Sequence, residues 1–215
     1  GGGLGKKYIR LQPLIAAERV VAADAYGGVA AFDRFSGKQL WRQKFGEEER
    51  RSSGLNRFLD RSDGGFVSGG VGGGEGLVLV GTTRGNVIAL ALSDGREMWR
   101  TYVGSEVGSM PVAAQGRVFA QTIDGELIAL DANTGEQLWS YSSQVPLLTL
   151  RGTSTPVTAR DVVYAGFASG KVVALRASNG EPIWEQRIML PEGRSELERI
   201  VDVDAAPLVV GNAIY

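Results

Sequence analysis

Four stretches decide the fold: YGGVAAFDRFSGKQLW at 26–41, RGNVIALALSDGREMW at 84–99, DGELIALDANTGEQLW at 124–139 and SGKVVALRASNGEPIW at 169–184. Each ends in a tryptophan: Trp41, Trp99, Trp139 and Trp184. Four residues before each lies a glycine (Gly37, Gly95, Gly135, Gly180), and fourteen before each lies another (Gly27, Gly85, Gly125, Gly170). All four copies keep both spacings, so the chain is an internal repeat.

The third copy shows what one unit builds. Arg117 to Thr122 alternates as a strand, Asp124-Gly125 makes a tight turn, and Glu126 to Asp131 returns as a second strand. Ala132 to Gly135 is a second turn, with Gly135 in the left-handed conformation that glycine adopts at low cost. Glu136 to Tyr141 forms a further strand, and Pro111 to Ala114 supplies a short one upstream. Four short antiparallel strands in about 40 to 45 residues is the period of a propeller blade. The expected fold is all-β: a β-propeller of four-stranded antiparallel blades. Residues 1–215 form a single partial propeller domain, and a further blade starts at 207–215. The recurring tryptophan is expected to pack between adjacent blades, where a large side chain fills one equivalent place per repeat.

The rest of the composition agrees. The 215 residues are 43% hydrophobic and 22% charged, enough apolar material for a sizeable core. Glycine, at 31 residues, is about twice its usual share and suits many strands joined by tight turns. A net charge of −1 argues against a nucleic-acid partner. Without histidine the usual proton shuttle is missing, and without cysteine there are no disulfides, thiolate nucleophiles or zinc–thiolate sites. No run of about 18 apolar residues is present, and no signal-peptide pattern follows Gly1 to Lys7.

Motifs that carry chemistry are sparse. Gly1 to Lys7 lacks the spacing of a phosphate-binding loop, with Lys7 where Ser or Thr belongs. GGVGGGEG at 69–76 is not a dinucleotide fingerprint, since Glu75 stands in place of the third glycine; it reads as a flexible approach to a strand at Leu77 to Val80. Trp41 and Trp99 are 58 residues apart, against 40 and 45 for the later pairs, and the excess at 46–70 reads either as an inter-blade excursion with a helical turn around Leu55 to Leu59 or as a mobile loop. Asp202 and Asp204 share a side of an extended segment, but no third ligand type stands beside them. No catalytic residue, metal site or cofactor site is expected.

The segments entering the blades are more informative. Pro13, Pro111, Pro156 and Pro207 each open a first strand. Arg151 lies five residues before Pro156, and Asp202 five before Pro207. Equivalent positions in consecutive blades share one rim, which brings Arg151, Asp202 and Asp204 together beside Leu148 and Leu150. A leucine pair framed by charges on a loop-built rim has the make-up of a protein-binding hot spot. The same residues also read as blade core, with Arg151 pairing Asp202, and both readings stand at this point.

The repeat Ala-x-[Asp/Asn/Ser]-x-Gly-x-x-x-Trp resembles the PQQ-type propeller repeat, over nearly the whole chain. LTLRGTSTP at 148–156, RSELERIVDVDAAP at 194–207 and the opening GLGKKYIRLQPLIAAERVVAAD resemble more closely the BamB family, lipoprotein subunits of the outer-membrane β-barrel assembly machinery. The resemblance implies an eight-bladed propeller at the periplasmic face of the Gram-negative outer membrane, anchored by a lipid on an N-terminal cysteine that this chain lacks. It implies a non-enzymatic scaffold that binds the POTRA domains of BamA and supports delivery of nascent outer-membrane proteins. Leu148, Leu150, Arg151, Asp202 and Asp204 match the residues that contact BamA in that family. About half of the family's blades are present, so two blade faces would be exposed and two copies could pair to complete a ring. The competing readings are a fragment of a PQQ-dependent dehydrogenase-like propeller and a generic PQQ-repeat adaptor.

Overall fold

The computed structural model describes residues 11–24, 26–45, 67–143, 153–188, 203, 205–211 and 213–215. Blade 1 is β1 (Leu14–Ala16), β2 (Arg19–Ala23), β3 (Gly28–Asp33) and β4 (Gln39–Lys44). Blade 2 is β5 (Val67–Gly74), β6 (Leu77–Thr82), β7 (Asn86–Ala91) and β8 (Glu97–Tyr102). Blade 3 is β9 (Val112–Ala114), β10 (Arg117–Gln121), β11 (Glu126–Asp131) and β12 (Gln137–Ser142). Blade 4 is β13 (Val157–Ala159), β14 (Val162–Phe167), β15 (Lys171–Arg176) and β16 (Pro182–Arg187), and a hairpin of β17 (Val209–Val210) and β18 (Ala213–Ile214) follows. Consecutive strands within each blade pair antiparallel, as the repeat predicts. The all-β propeller-blade reading holds.

The local reasons recur in each blade. In the turn before the last strand of blade 3, Asp131 accepts the backbone N–H groups of Asn133 and Thr134, and Gly135 sits at φ +75°. Those two N–H bonds, the Thr134 amide's first, hold the Asp131 carboxyl below its usual range. Between third and last strands the register slips at the same place in all four blades: after Ala31, Ala89, Ala129 and Ala174. The residue left out of the ladder is the one before each tryptophan, a bulge that re-aims the indole. That residue is Leu40, Met98, Leu138 or Ile183, and all four are 44% to 49% exposed.

The core lies between blades. Val21, Val29, Ala31 and Trp41 of blade 1 pack against Val78, Val80, Ile88 and Leu90 of blade 2. Leu79, Val87, Ala89 and Trp99 meet Val118, Ala120, Ile128 and Leu130 in the same way. Phe119, Leu127 and Ala129, with Trp139 beside them, meet Val163, Ala165, Val173 and Leu175. Three of the four indoles donate to a carbonyl of the next blade: Trp41 to Leu92 at 3.0 Å, Trp99 to Ala132 at 2.8 Å and Trp139 to Ala177 at 3.0 Å. Trp184, on the outward face of blade 4, is 38% exposed against 8% for Trp41 and Trp99. On the opposite face of blade 1, Val20, Ala22, Ala30 and Phe32 are half-buried, whereas their counterparts in blade 2 are fully buried.

One sequence expectation is corrected here. The glycine run at 69–76 is not a flexible approach: its residues to Gly74 belong to the eight-residue strand β5. A Cβ on Gly69, Gly72 or Gly74 would collide with the carbonyl oxygens of Ser109, Pro111 and Ala113. The glycines are there because the backbone entering blade 3 lies directly on them. Gly73 pairs with Val112 in parallel, and this joins blades 2 and 3 into one eight-stranded sheet. The expected helical turn at 55–59, and residues 46–66 generally, lie outside the described residues.

Candidate functional site

Each blade's second and third strands are joined by a turn that carries one of the glycines fourteen before a tryptophan. At that end of the molecule the segment leaving blade 2 runs past this turn before entering blade 3. We call it, and the segments at equivalent places in the sequence, straps. The strap from Val103 to Pro111 is described throughout. Val107 donates its N–H to Thr82 O at 3.1 Å in blade 2, and forms an isolated bridge with Thr122 in blade 3. Gly108 N–H reaches Gln121 O at 3.1 Å, and Ile123 N–H reaches Glu106 O at 3.0 Å. The strap is thus bonded through main-chain groups to two consecutive turns.

Val107 packs into a notch made by a glycine. A Cβ on Gly81 would lie 2.6 Å from Val107 Cγ1. The same relation recurs two blades on, where a Cβ on Gly166 would lie 2.5 Å from Val203 Cγ1. Val107 stands four residues before Pro111, and Val203 four before Pro207. Ser154, buried in the strap entering blade 4, donates its hydroxyl to Ala205 O at 2.9 Å and so ties two straps together.

The five residues singled out from the sequence, Leu148, Leu150, Arg151, Asp202 and Asp204, all lie outside the described residues. Their described neighbours are Thr153 and Ser154 on one strap, and Val203 and Ala205 on the other. Two residues on this rim were missed by the sequence reading. Glu106 stands five before Pro111, the offset that singled out Arg151 and Asp202, so the same rule would have found it. Gln121 is buried at a place where the other repeats have Ala23, Gly81 and Gly166; a polar residue in a column of small ones was its signal. Among the described residues no group of three or more acidic side chains is placed to hold a metal ion.

A polar cluster lies on β12, β15 and β16. Tyr141 donates to Glu185 Oε1 at 2.6 Å, and Lys171 bonds Glu185 Oε2 at 3.1 Å. The Tyr141 bond, then Lys171, holds the Glu185 carboxyl below its ordinary value, while partial burial and then Glu185 push the Tyr141 phenol up. The cluster links blade 3 to blade 4.

Comparison with known proteins places this geometry. The family model described as outer membrane protein assembly factor BamB matches residues 25–215. The outer membrane protein assembly factor BamB of Shewanella oneidensis is 37% identical over 215 residues, 100% of this chain and 53% of that protein. Its counterpart in Xanthomonas campestris is 43% identical over the whole chain and 51% of its own length. The chain therefore spans about half the length of the curated relatives it matches. The crystal structure of BamB from Moraxella catarrhalis superposes with a TM-score of 0.82 at 27% identity, covering 95% of this chain and 57% of that one. A quinohemoprotein alcohol dehydrogenase from Pseudomonas putida shares the fold alone, at 17% identity and a TM-score of 0.63 over 83% of this chain and 34% of its own. With a family model over most of its length and relatives at this identity along all of it, the chain belongs to the BamB family of outer membrane protein assembly factors.

Proposed function

We propose that this chain is part of a non-enzymatic scaffold of the outer-membrane protein assembly machinery, acting at the periplasmic face of the outer membrane. Its rim binds the POTRA domains of BamA through Leu148, Leu150 and Arg151 on one strap and Asp202 and Asp204 on another. The observation that carries this reading is the shared notch: Val107 on Gly81 and Val203 on Gly166, each four residues before its proline. It supports one register for successive straps, in which Glu106, Arg151 and Asp202 hold equivalent places on one rim. Leucine anchors would be buried by the partner, framed by charge-assisted hydrogen bonds. Nascent outer-membrane proteins are a second class of partner on this reading.

The test is titration of the POTRA segment of a matching BamA into the chain, with Arg151→Glu alongside. The expected result is binding by the parent and a loss of tenfold or more in the variant, about the effect of truncating a hot spot. Equal binding by both would remove the rim site. No binding by a chain shown to be folded by circular dichroism would remove the partner. The dehydrogenase-like alternative predicts that added PQQ and calcium give a bound chromophore; on the scaffold reading they give none. Pairing of two copies through the exposed faces of blades 1 and 4 is proposed as well. Sedimentation as a monomer at high concentration would exclude it.

A further inference from the structure

Gln121 is out of place in its column. Four residues before the turn glycine, blade 1 has Ala23, blade 2 Gly81 and blade 4 Gly166. Only blade 3 puts an amide there, and the side chain is 2% exposed. Gln121 Nε2 crosses to blade 4 and donates to Gly166 O at 2.8 Å. Its Oε1 is buried without a partner among the described residues. A buried amide oxygen left unpaired costs stability, and three blades of the same chain manage without the amide. The blade fold therefore does not call for it.

Its surroundings explain it better. The backbone of Gln121 is held by the strap before blade 3, accepting from Gly108 N–H at 3.1 Å and donating to Ser109 Oγ at 3.3 Å. Gly108 in turn has no room for a Cβ, because Thr153 Oγ1 lies against it. Thr153, whose hydroxyl is also buried and unpartnered, begins the described part of the strap before blade 4, two residues after Arg151. At the other end of the amide, Gly166 is the notch that receives Val203. Asp202 and Asp204 flank Val203 in the sequence. One side chain thus connects the backbone on which Thr153 rests to the backbone on which Val203 rests.

We infer that Gln121 is a positioning residue that sets the spacing of Thr153 and Val203, the described residues of the two segments that the proposed function assigns to the partner. The inference rests on the scaffold reading for its partner, but its structural content is independent of any partner. The amide acts as a strut of fixed length. Its Nε2–Gly166 bond fixes blade 4's notch relative to blade 3, and its backbone bonds fix the first strap, against which Thr153 rests. Preorganised loops bind with less ordering cost than free ones, so loosening the strut lowers affinity without touching a contact residue.

The test uses the 215-residue chain and three variants: Gln121→Ala and Gln121→Gly, which copy the other blades, and Gln121→Glu, which keeps the length but loses the donor. Hydrogen exchange is measured first, without partner. Faster exchange in peptides covering both straps, with the blade 1 and blade 2 strands unchanged, is the expected result. Exchange that is unchanged in either strap would overturn the inference. Affinity for the POTRA segment is then measured, with Arg151→Glu as control. Gln121→Ala should weaken binding about tenfold, the scale of one lost hydrogen bond to a preorganised site, and should add nothing in the Arg151→Glu background. Full affinity in Gln121→Ala, with Arg151→Glu impaired, would also overturn it. If Arg151→Glu binds as the parent does, the rim reading fails instead, and the exchange result alone judges the strut.

Discussion

Trp99 lies so close to Gly135 that a Cβ on the glycine would sit 2.6 Å from the indole Cε3. The pair belongs to different blades, and the glycine is at φ +75°. Gly95 under Trp41 and Gly180 under Trp139 repeat the arrangement, while Gly37 has nothing within 4 Å of such a Cβ among the described residues. The glycine of the repeat thus has two duties, a left-handed turn and a flat seat for the neighbour's indole, and only Gly37 is relieved of the second. Gly135→Ala should cost about 1–2 kcal/mol for the backbone and roughly 1–3 kcal/mol more for overpacking. Gly37→Ala should show the backbone part alone. Urea unfolding midpoints at unchanged slope separate the two.

Trp99→Phe removes the donor to Ala132 O and part of the contact area, leaving a buried carbonyl unpaired. A loss of about 2–4 kcal/mol is expected, the sum of an unsatisfied acceptor and a partly emptied site. Trp184→Phe, at a 38% exposed position, should cost under about 1 kcal/mol. Equal losses in the two variants would mean that the indole–carbonyl bond contributes nothing.

Gly72→Ala should be among the most damaging single substitutions in the chain, because the Cβ meets the main-chain carbonyl of Pro111 and neither backbone can retreat. More than about 4 kcal/mol, or failure to fold, is expected. Gly76→Ala, two residues after β5 with φ +79° and open space around it, should cost only about 1–2 kcal/mol. Thermal denaturation of both variants checks the contrast.

The Tyr141–Glu185–Lys171 cluster gives a pH signature of known sign. Glu185 is held below its ordinary value of 4.5, so its contribution is present above that pH and lost as the pH falls through the lower folded value. Tyr141 is raised from 10.0, so its contribution is present below pH 10 and lost as the pH rises through the folded value. Glu185 is largely open to solvent, so Glu185→Gln should cost at most about 1 kcal/mol at neutral pH. The difference between variant and parent should shrink towards pH 3 in a urea titration series, and a constant difference would contradict the assignment.

Much of the fold was legible because its defining residues recur. The tryptophan and two glycines at fixed offsets announce strand, turn and strand four times, and the prolines mark where first strands begin, as Leu14, Val112 and Val157 show. The glycine run of β5 was misread because its cause lies elsewhere in the chain. Local composition reports that Gly72 has no side chain, but not that Pro111 O occupies the space. The offset from proline that singled out the candidate rim residues has a described neighbour in Val107 and Val203, each four residues before its proline and each seated on a glycine. Gln121 escaped because a lone glutamine in a strand looks like an ordinary solvent-facing residue until the next blade is set beside it.

Blades 2 and 3 are stitched through main-chain atoms at Gly73 and Val112, whereas the described contacts on either side of them are made by side chains. Denaturants that dissolve apolar packing should therefore part the molecule at its flanks and leave a surviving centre. The slowest-exchanging amides should fall in β6, β7, β10 and β11, as a cooperative unit smaller than the chain. Such a half-melted form would show unpaired strands on both sides of an intact sheet, a template for other molecules. Loss of material on warming should then follow the population of this partly opened species, well before the midpoint of global unfolding.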